Sequence, residues 1–359
     1  MPRVLLLGAG NIGVAIAELL KASRDFELTV GDRDEKSLLG VPDGIPTRTV
    51  DVGDGRSLSA ALADADAVIN ALPYYLSLPI ARAAHERHVH YFDLTEDVAT
   101  AREIRGFADG AKSVFVPQCG LAPGFISIAA HSVAQHFEKP HRVHMRVGAL
   151  PLFPANALKY NLTWSTAGLI NEYCNPCQIV HEGQLREVLP LEGLEQFSLD
   201  GVEYEAFNTS GGLGTLCETL LGKVDHLSYK TIRYPGHCEL VKFLCNDLRL
   251  CERRDLFRDV LENAVPITAQ DVVLIFVTVS GMRGGRMVQE TYTRKVYHRQ
   301  VHGRELSAIQ ITTAASVCAV LDLHREGRIP QHGFVRQEQI ALDAFMQNRF
   351  GKLYDQGAP

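Results

Sequence analysis

Val4-Leu5-Leu6-Leu7-Gly8-Ala9-Gly10-Asn11-Ile12-Gly13 is the stretch on which the fold turns. Four apolar residues read as a buried strand that stops at a glycine. The spacing G-x-G-x-x-G then opens a helix in which Ile12, Ala15, Ile16, Leu19 and Leu20 recur at helical intervals. A strand, a glycine turn and an amphipathic helix, in that order, are what a dinucleotide pyrophosphate requires. Gly8 permits the tight turn, Gly10 lets the backbone approach the phosphates, and Gly13 lets helix pack on strand. Asn11 and Ile12 start the helix, whose free N–H groups point at an anion. Asp32 ends the next apolar run, where a carboxylate accepts from ribose hydroxyls and repels a 2′-phosphate. That favours NAD, although the adjacent Arg33 offers a guanidinium to a phosphate or to adenine.

Working outward, short apolar runs alternate with helical patterns. Strands are expected at Phe26–Val30, Thr47–Val50, Ala67–Ala71, Tyr91–Asp93 and Val114–Val116. Helices are expected around Ser57–Ala65, Ser77–Arg87 and Asp97–Ala111, with Ser77 as an N-cap. This alternation implies a parallel sheet with right-handed crossovers. Ligands bind at the carboxyl ends of such strands, so Asp51 and Val52, and the loop Asn70-Ala71-Leu72-Pro73, join the candidate cofactor residues. After Pro117 the pattern changes to longer strands and irregular loops, and Gly281–Gly285 reads as the turn of a long hairpin. The expected fold is α/β: an N-terminal Rossmann dinucleotide-binding domain (1–121), a second α+β substrate and oligomerisation domain (122–305), and a C-terminal segment (306–359) whose helix returns to the first.

Composition excludes other classes. With 46% hydrophobic and 22% charged residues the chain is neither disordered nor a coiled-coil rod. A net charge of −6 and no long basic run leave no nucleic-acid footprint. No apolar run is long enough for a membrane span, and the first residues do not form a signal peptide, so a cytoplasmic setting without a membrane partner is expected. The eight cysteines are scattered, and free thiols are the expectation. Cys174 and Cys177 form one C-x-x-C without a second pair, so no metal site is expected.

Several strings carry a resemblance: Gly8–Gly13, Asn70–Tyr74, Cys119–Gly124, Tyr160–Asn161 before Gly168–Ile170, Glu205–Gly212 (EAFNTSGG) and Tyr229–His237 (YKTIRYPGH). The sequence resembles the saccharopine dehydrogenase superfamily over nearly its whole length, and within it the NAD-dependent lysine 6-dehydrogenases. The resemblance implies oxidative deamination of the terminal amine of L-lysine, or a close diamino acid, to a semialdehyde that closes to a cyclic imine. It also implies a homodimer or higher homo-oligomer. Ala122 stands where the reductases of this superfamily carry aspartate. The alternative is an NADPH-dependent saccharopine or carboxynorspermidine-type imine reductase; a non-catalytic NAD-binding sensor is the alternative of another class.

Candidate catalytic residues come mostly from the second domain, with Asp93 from the first. If Tyr229–Tyr234 is extended, Tyr229, Thr231 and Arg233 share one face. Arg233 is then a fork for a substrate carboxylate. His237, after a Pro-Gly turn, is a candidate base near neutral pH, with Lys230 as the alternative base. Asp93 is a candidate partner for a substrate ammonium or for His237. Tyr160 and Asn161, with Trp164, are placed to wall the pocket, and Thr209 offers a hydroxyl in a close-approach loop.

Overall fold

The computed structural model describes residues Met1–Asp355 as two compact units. The first comprises Met1–Phe125, Gln300–Arg304 and Gln310–Tyr354. Its strands are β1 (Arg3–Leu7), β2 (Glu27–Asp32), β3 (Thr47–Thr49), β4 (Ala67–Asn70), β5 (His90–Asp93) and β6 (Val114–Val116). They pair in the order β6-β5-β4-β1-β2-β3, every neighbour parallel, and a short strand Gly333–Phe334 extends the sheet beyond β6. This is the doubly wound order, with its crossover between β1 and β4. Crossover helices are α1 (Asn11–Ser23), α2 (Glu35–Leu38), α3 (Gly55–Leu62), α4 (Ser77–Glu86) and α5 (Val98–Ala108). Because its strands are covered on both faces, β1 reads as an unbroken apolar run. Asp97 caps α5 through Thr100 N at 2.7 Å. Ser77 is not a cap: it is the first helical residue, and its hydroxyl accepts from Asn70 instead.

The boundary after the sheet lies slightly beyond residue 121. Cys119 N donates to Asp93 O at 2.8 Å, and the Phe125 ring lies against Tyr354 with centroids 4.0 Å apart. The helix Ala308–Arg325 belongs to this unit from Gln310 on.

The second unit holds Ile126–Arg299 and Glu305–Ile309 among its described residues, with Asp355. Its strands are β7 (Lys139–Pro151), β8 (Cys177–His181), β9 (Gln184–Val188), β10 (Glu195–Leu199), β11 (Val202–Asn208), β12 (His226–Arg233), β13 (Asp271–Arg283) and β14 (Arg286–Tyr297). The order is β10-β11-β12-β7-β13-β14, with β8 and β9 off the end of β12. Only β7 and β12 run parallel, so the sheet is mixed. Arg283 pairs with Arg286 across Gly284 and Gly285, both at positive φ, which is the turn a tight right-twisted hairpin demands. The helix Thr166–Cys174 packs with Phe207, Val241 and Phe257 in one apolar cluster. Cys174 forms a disulfide with Cys251, correcting the expectation of free thiols throughout. The partner is distant in sequence, so spacing gave no sign of it.

Candidate functional site

The first unit presents an anion cradle at the end of β1. Gly8 has φ +107, and a Cβ on Gly13 would overlap the Gly8 carbonyl. Gly10 faces open space and precedes α1 with no side-chain cap, leaving the first-turn N–H groups available. Asn11 is exposed and Ile12 half-buried at that turn. Asp32 Oδ2 accepts from Ala9 N at 2.7 Å and Oδ1 from Asp34 N at 2.9 Å. The carboxylate is thus fixed beside the glycine turn. Arg33 is exposed next to it. Asp51 takes Gly53 N at 2.9 Å in the turn leading to α3, and Val52 is buried. Asn70 turns inward: its Nδ2 donates to Ser77 Oγ at 2.9 Å and its Oδ1 accepts from Leu72 N at 3.0 Å. The side chain therefore holds the loop Ala71-Leu72-Pro73 in place, and Ala71 closes on Gly8.

Asp93 is also turned inward. Tyr91 Oη donates to it at 2.7 Å, and the N–H groups of Thr95 and Gln118 at 3.0 and 2.8 Å. It is fully buried, and burial pushes its carboxyl up to about 6 against those donors. The expected ammonium partner is instead a brace between β5 and the loop after β6, and His237 belongs to the other unit.

The second unit assembles a buried polar cluster from β12, the helix Thr166–Cys174 and the segment before it. Alternation along β12 places Tyr229, Thr231 and Arg233 on one face and Lys230 on the other. Lys230 Nζ pairs with Glu195 at 3.2 Å and Gly193 O at 2.6 Å, away from Arg233. That engagement removes it as the alternative base. Thr231 Oγ1 and Thr209 Oγ1 lie 2.7 Å apart, so the Thr209 hydroxyl locks β11 to β12. Gly212 lies against the Tyr229 ring, where a Cβ would collide.

Arg233 Nε donates to Tyr173 Oη at 3.1 Å and Nη1 to Ile232 O at 2.9 Å. Its guanidinium lies 4.7 Å over the Tyr160 ring. It is 3% exposed, and no carboxylate pairs with it. Burial works against its charge, while Tyr173, Tyr160 and the buried Glu172 favour it. Three buried oxygens in the preceding segment lack a hydrogen-bond partner of good geometry: Tyr160 Oη, Asn161 Oδ1 and Thr163 Oγ1. Buried polar atoms are ordinarily satisfied. A buried guanidinium with no hydrogen-bonded carboxylate thus lies in the same cluster as these three polar atoms. Trp164 packs at its edge.

His237 differs from expectation. Its Nδ1 lies 2.8 Å from Leu158 O, so Nδ1 carries the proton and Nε2 accepts from Tyr173 Oη at 3.0 Å. Burial, with help from Arg233, pushes the imidazole down to about 3. It stays neutral and cannot serve as a base that titrates near neutral pH. Glu205 holds its turn by accepting from Gly236 N at 2.8 Å and Cys238 N at 2.6 Å. Sequence reasoning missed Tyr173, Glu172, Thr163 and Glu205. The apolar spacing of Leu169, Ile170 and Tyr173 was the available sign that Tyr173 faces inward.

The doubly wound sheet with its glycine cradle defines a Rossmann-type dinucleotide-binding protein, joined to a mixed-sheet unit that carries the buried Arg233 cluster. The chain belongs to the saccharopine dehydrogenase family. The family's NADP binding domain matches residues 4–113 and its C-terminal domain residues 120–357. Similar proteins include the mitochondrial alpha-aminoadipic semialdehyde synthase of Bos taurus, 23% identical over 317 residues, which span 82% of this chain and 33% of that one. Another is the NADP(+), L-glutamate-forming saccharopine dehydrogenase of Saccharomyces cerevisiae, 25% identical over 67% of this chain and 57% of that one. The chain thus spans between a third and three fifths of these relatives. The solved apo form of the yeast saccharopine dehydrogenase matches with a TM-score of 0.78 at 19% identity, covering 96% of this chain and 95% of that one, and shares the fold. Among the described residues, no helix is long and apolar enough to cross a membrane.

Proposed function

We propose that the chain is an NAD-dependent amino-acid oxidoreductase that oxidises the terminal CH–NH2 of a lysine-like diamino acid to a semialdehyde, which cyclises. The observation that carries this reading is Arg233, buried without a carboxylate partner. Leaving a buried charge unpaired is costly, and a substrate carboxylate supplies the partner through bidentate hydrogen bonds. Arg233 is the only lysine or arginine among the described residues that is fully buried, so the pocket balances one carboxylate. That supports a monocarboxylic diamino acid over a secondary amine bearing several carboxylates.

Asn161 Oδ1 and the hydroxyls of Tyr160 and Thr163 offer acceptors to the substrate ammonium. Asp32, fixed beside the glycine turn, supports NAD over NADP. Gly8, Gly10, Gly13 and the first turn of α1 would hold the pyrophosphate. When bound, NAD supplies the hydride acceptor. His237 is neutral and engaged at both nitrogens, and Lys230 is tied to Glu195, so neither takes the amine proton. The reactive amine therefore arrives neutral, in the fraction that bulk pH allows.

The description of the family domain as NADP binding, and the glutamate-forming relatives, favour a second reading: an imine reductase that joins an amine to an aldehyde with NADPH. One assay separates the two. The protein is mixed with NAD or, separately, NADP and a panel of ω-amino acids, diamines and secondary amino acids, and the absorbance of the reduced dinucleotide is followed. Reduction with ω-amino acids supports the first reading; reaction only with NADP and secondary amines supports the second.

A further inference from the structure

A cluster of three sulfurs lies behind Tyr173. Cys174, the last residue of the helix Thr166–Cys174, is bonded to Cys251 in the short turn Leu250–Glu252. Cys245 completes the group: the sulfurs of Cys174, Cys245 and Cys251 all lie within 4.8 Å of one another. Cys245 rides on a π-helical turn, Phe243–Asp247. Such turns occur frequently at functional sites. Cys177, the other member of the C-x-x-C, stands outside this group.

We infer that Cys174, Cys245 and Cys251 form a thiol–disulfide exchange site, in which the bond to Cys251 passes between Cys174 and Cys245. Cys245 gives up its thiol proton and its sulfur attacks the Cys251 sulfur. The Cys174–Cys251 bond breaks, and Cys174 leaves as a thiolate that takes up the proton. One disulfide and one thiol are present before and after, so no oxidant or reductant is consumed. Cys245 is buried and Cys174 and Cys251 are half-buried; burial pushes the Cys245 thiol up to about 11, so exchange through its thiolate is slow at neutral pH.

The two linkages differ in reach. The Cys174–Cys251 bond spans a sequence separation of 77 and ties the end of the helix Thr166–Cys174 to the next layer. A Cys245–Cys251 bond closes only a local loop and releases that end. Arg254 also tethers it, donating to Asn171 Oδ1 at 3.3 Å and Asn175 Oδ1 at 2.6 Å, and Ser210 N donates to Glu172 O at 3.0 Å. The residue before Cys174 is Tyr173, which holds Arg233. Exchange therefore loosens the anion pocket, a consequence that rests on the proposed role of Arg233; the exchange itself does not.

The test is disulfide mapping of the full chain, with acid quenching, alkylation, proteolysis and mass spectrometry. The expected result is a fraction carrying the Cys245–Cys251 bond with Cys174 alkylated. Cys245→Ser and Cys245→Ala should both show the Cys174–Cys251 bond alone. Finding only Cys174–Cys251 in the wild type overturns the exchange, and so does finding three free thiols in unreduced protein. These outcomes do not depend on any substrate. For the coupling, Cys174→Ser should raise KM for the carboxylate substrate several-fold with kcat little changed, and an unchanged KM overturns it.

Discussion

Tyr173 Oη accepts from Arg233 Nε at 3.1 Å and donates a hydrogen bond to His237 Nε2, 3.0 Å away. The hydroxyl is the hinge of a relay that runs from the guanidinium to the Leu158 carbonyl. It aims a cation whose remaining donors have no carboxylate to meet.

Arg233→Ala should therefore cost about 2–5 kcal/mol in kcat/KM for a carboxylate-bearing amine, since it removes one partner of a buried charge pair. The loss should appear in KM, and a plain diamine should be far less affected. Steady-state kinetics on the paired substrates decide this; equal losses on both would take Arg233 out of the carboxylate site. Tyr173→Phe leaves Arg233 Nε and His237 Nε2 unpaired and should cost about 1–3 kcal/mol of stability.

Asp32→Ala should weaken NAD by about 1–2 kcal/mol and narrow its lead over NADP, because charge-assisted hydrogen bonds to the ribose are lost. Titration with each dinucleotide, by fluorescence or calorimetry, measures both. A cofactor preference that stays put would show that another residue reads the ribose.

Gly10→Ala and Gly13→Ala should fail differently. A Cβ on Gly10 meets nothing within 4 Å, so that variant should keep its melting temperature and lose dinucleotide affinity. A Cβ on Gly13 collides with the Gly8 carbonyl, so that variant should lose about 1–3 kcal/mol of stability or more. Thermal unfolding with and without NAD separates the two effects.

With His237 pushed down to about 3, the rate profile should carry no inflection near 6.5 from this group. Instead kcat/KM should climb with pH as more of the amine becomes neutral, about tenfold per unit while the pH is well below an ordinary amine pKa near 10.4. The same shift bears on stability. The unfolded chain binds the proton near 6.5 and the folded chain only near 3, so stability is present above 6.5 and falls as pH drops through that window. A shallower acid slope in His237→Gln, followed by denaturant unfolding, is the expected signature.

The cofactor half was legible because its signals are local. A strand, three glycines and an acid within one short stretch determine their own geometry. Alternation along β12 likewise puts Arg233 and Lys230 on opposite faces from sequence spacing alone. The polar groups were harder to read. Asp93 and His237 carry titratable groups in suggestive positions, but burial and neighbouring donors decide their protonation, and those neighbours come from other elements. Tyr173 and the Cys174–Cys251 bond depend on contacts between segments far apart in sequence, which no periodicity records.

The sheet of the first unit ends on Gly333–Phe334, beyond β6, and Tyr354 Oη bonds Thr312 O at 2.7 Å within the same unit. During synthesis, the first six strands leave the ribosome with their last neighbour still more than two hundred residues away in sequence. A nascent chain released early would hold the nucleotide cradle but expose the edge of β6. Such a fragment would offer an unpaired edge strand as a template for aggregation.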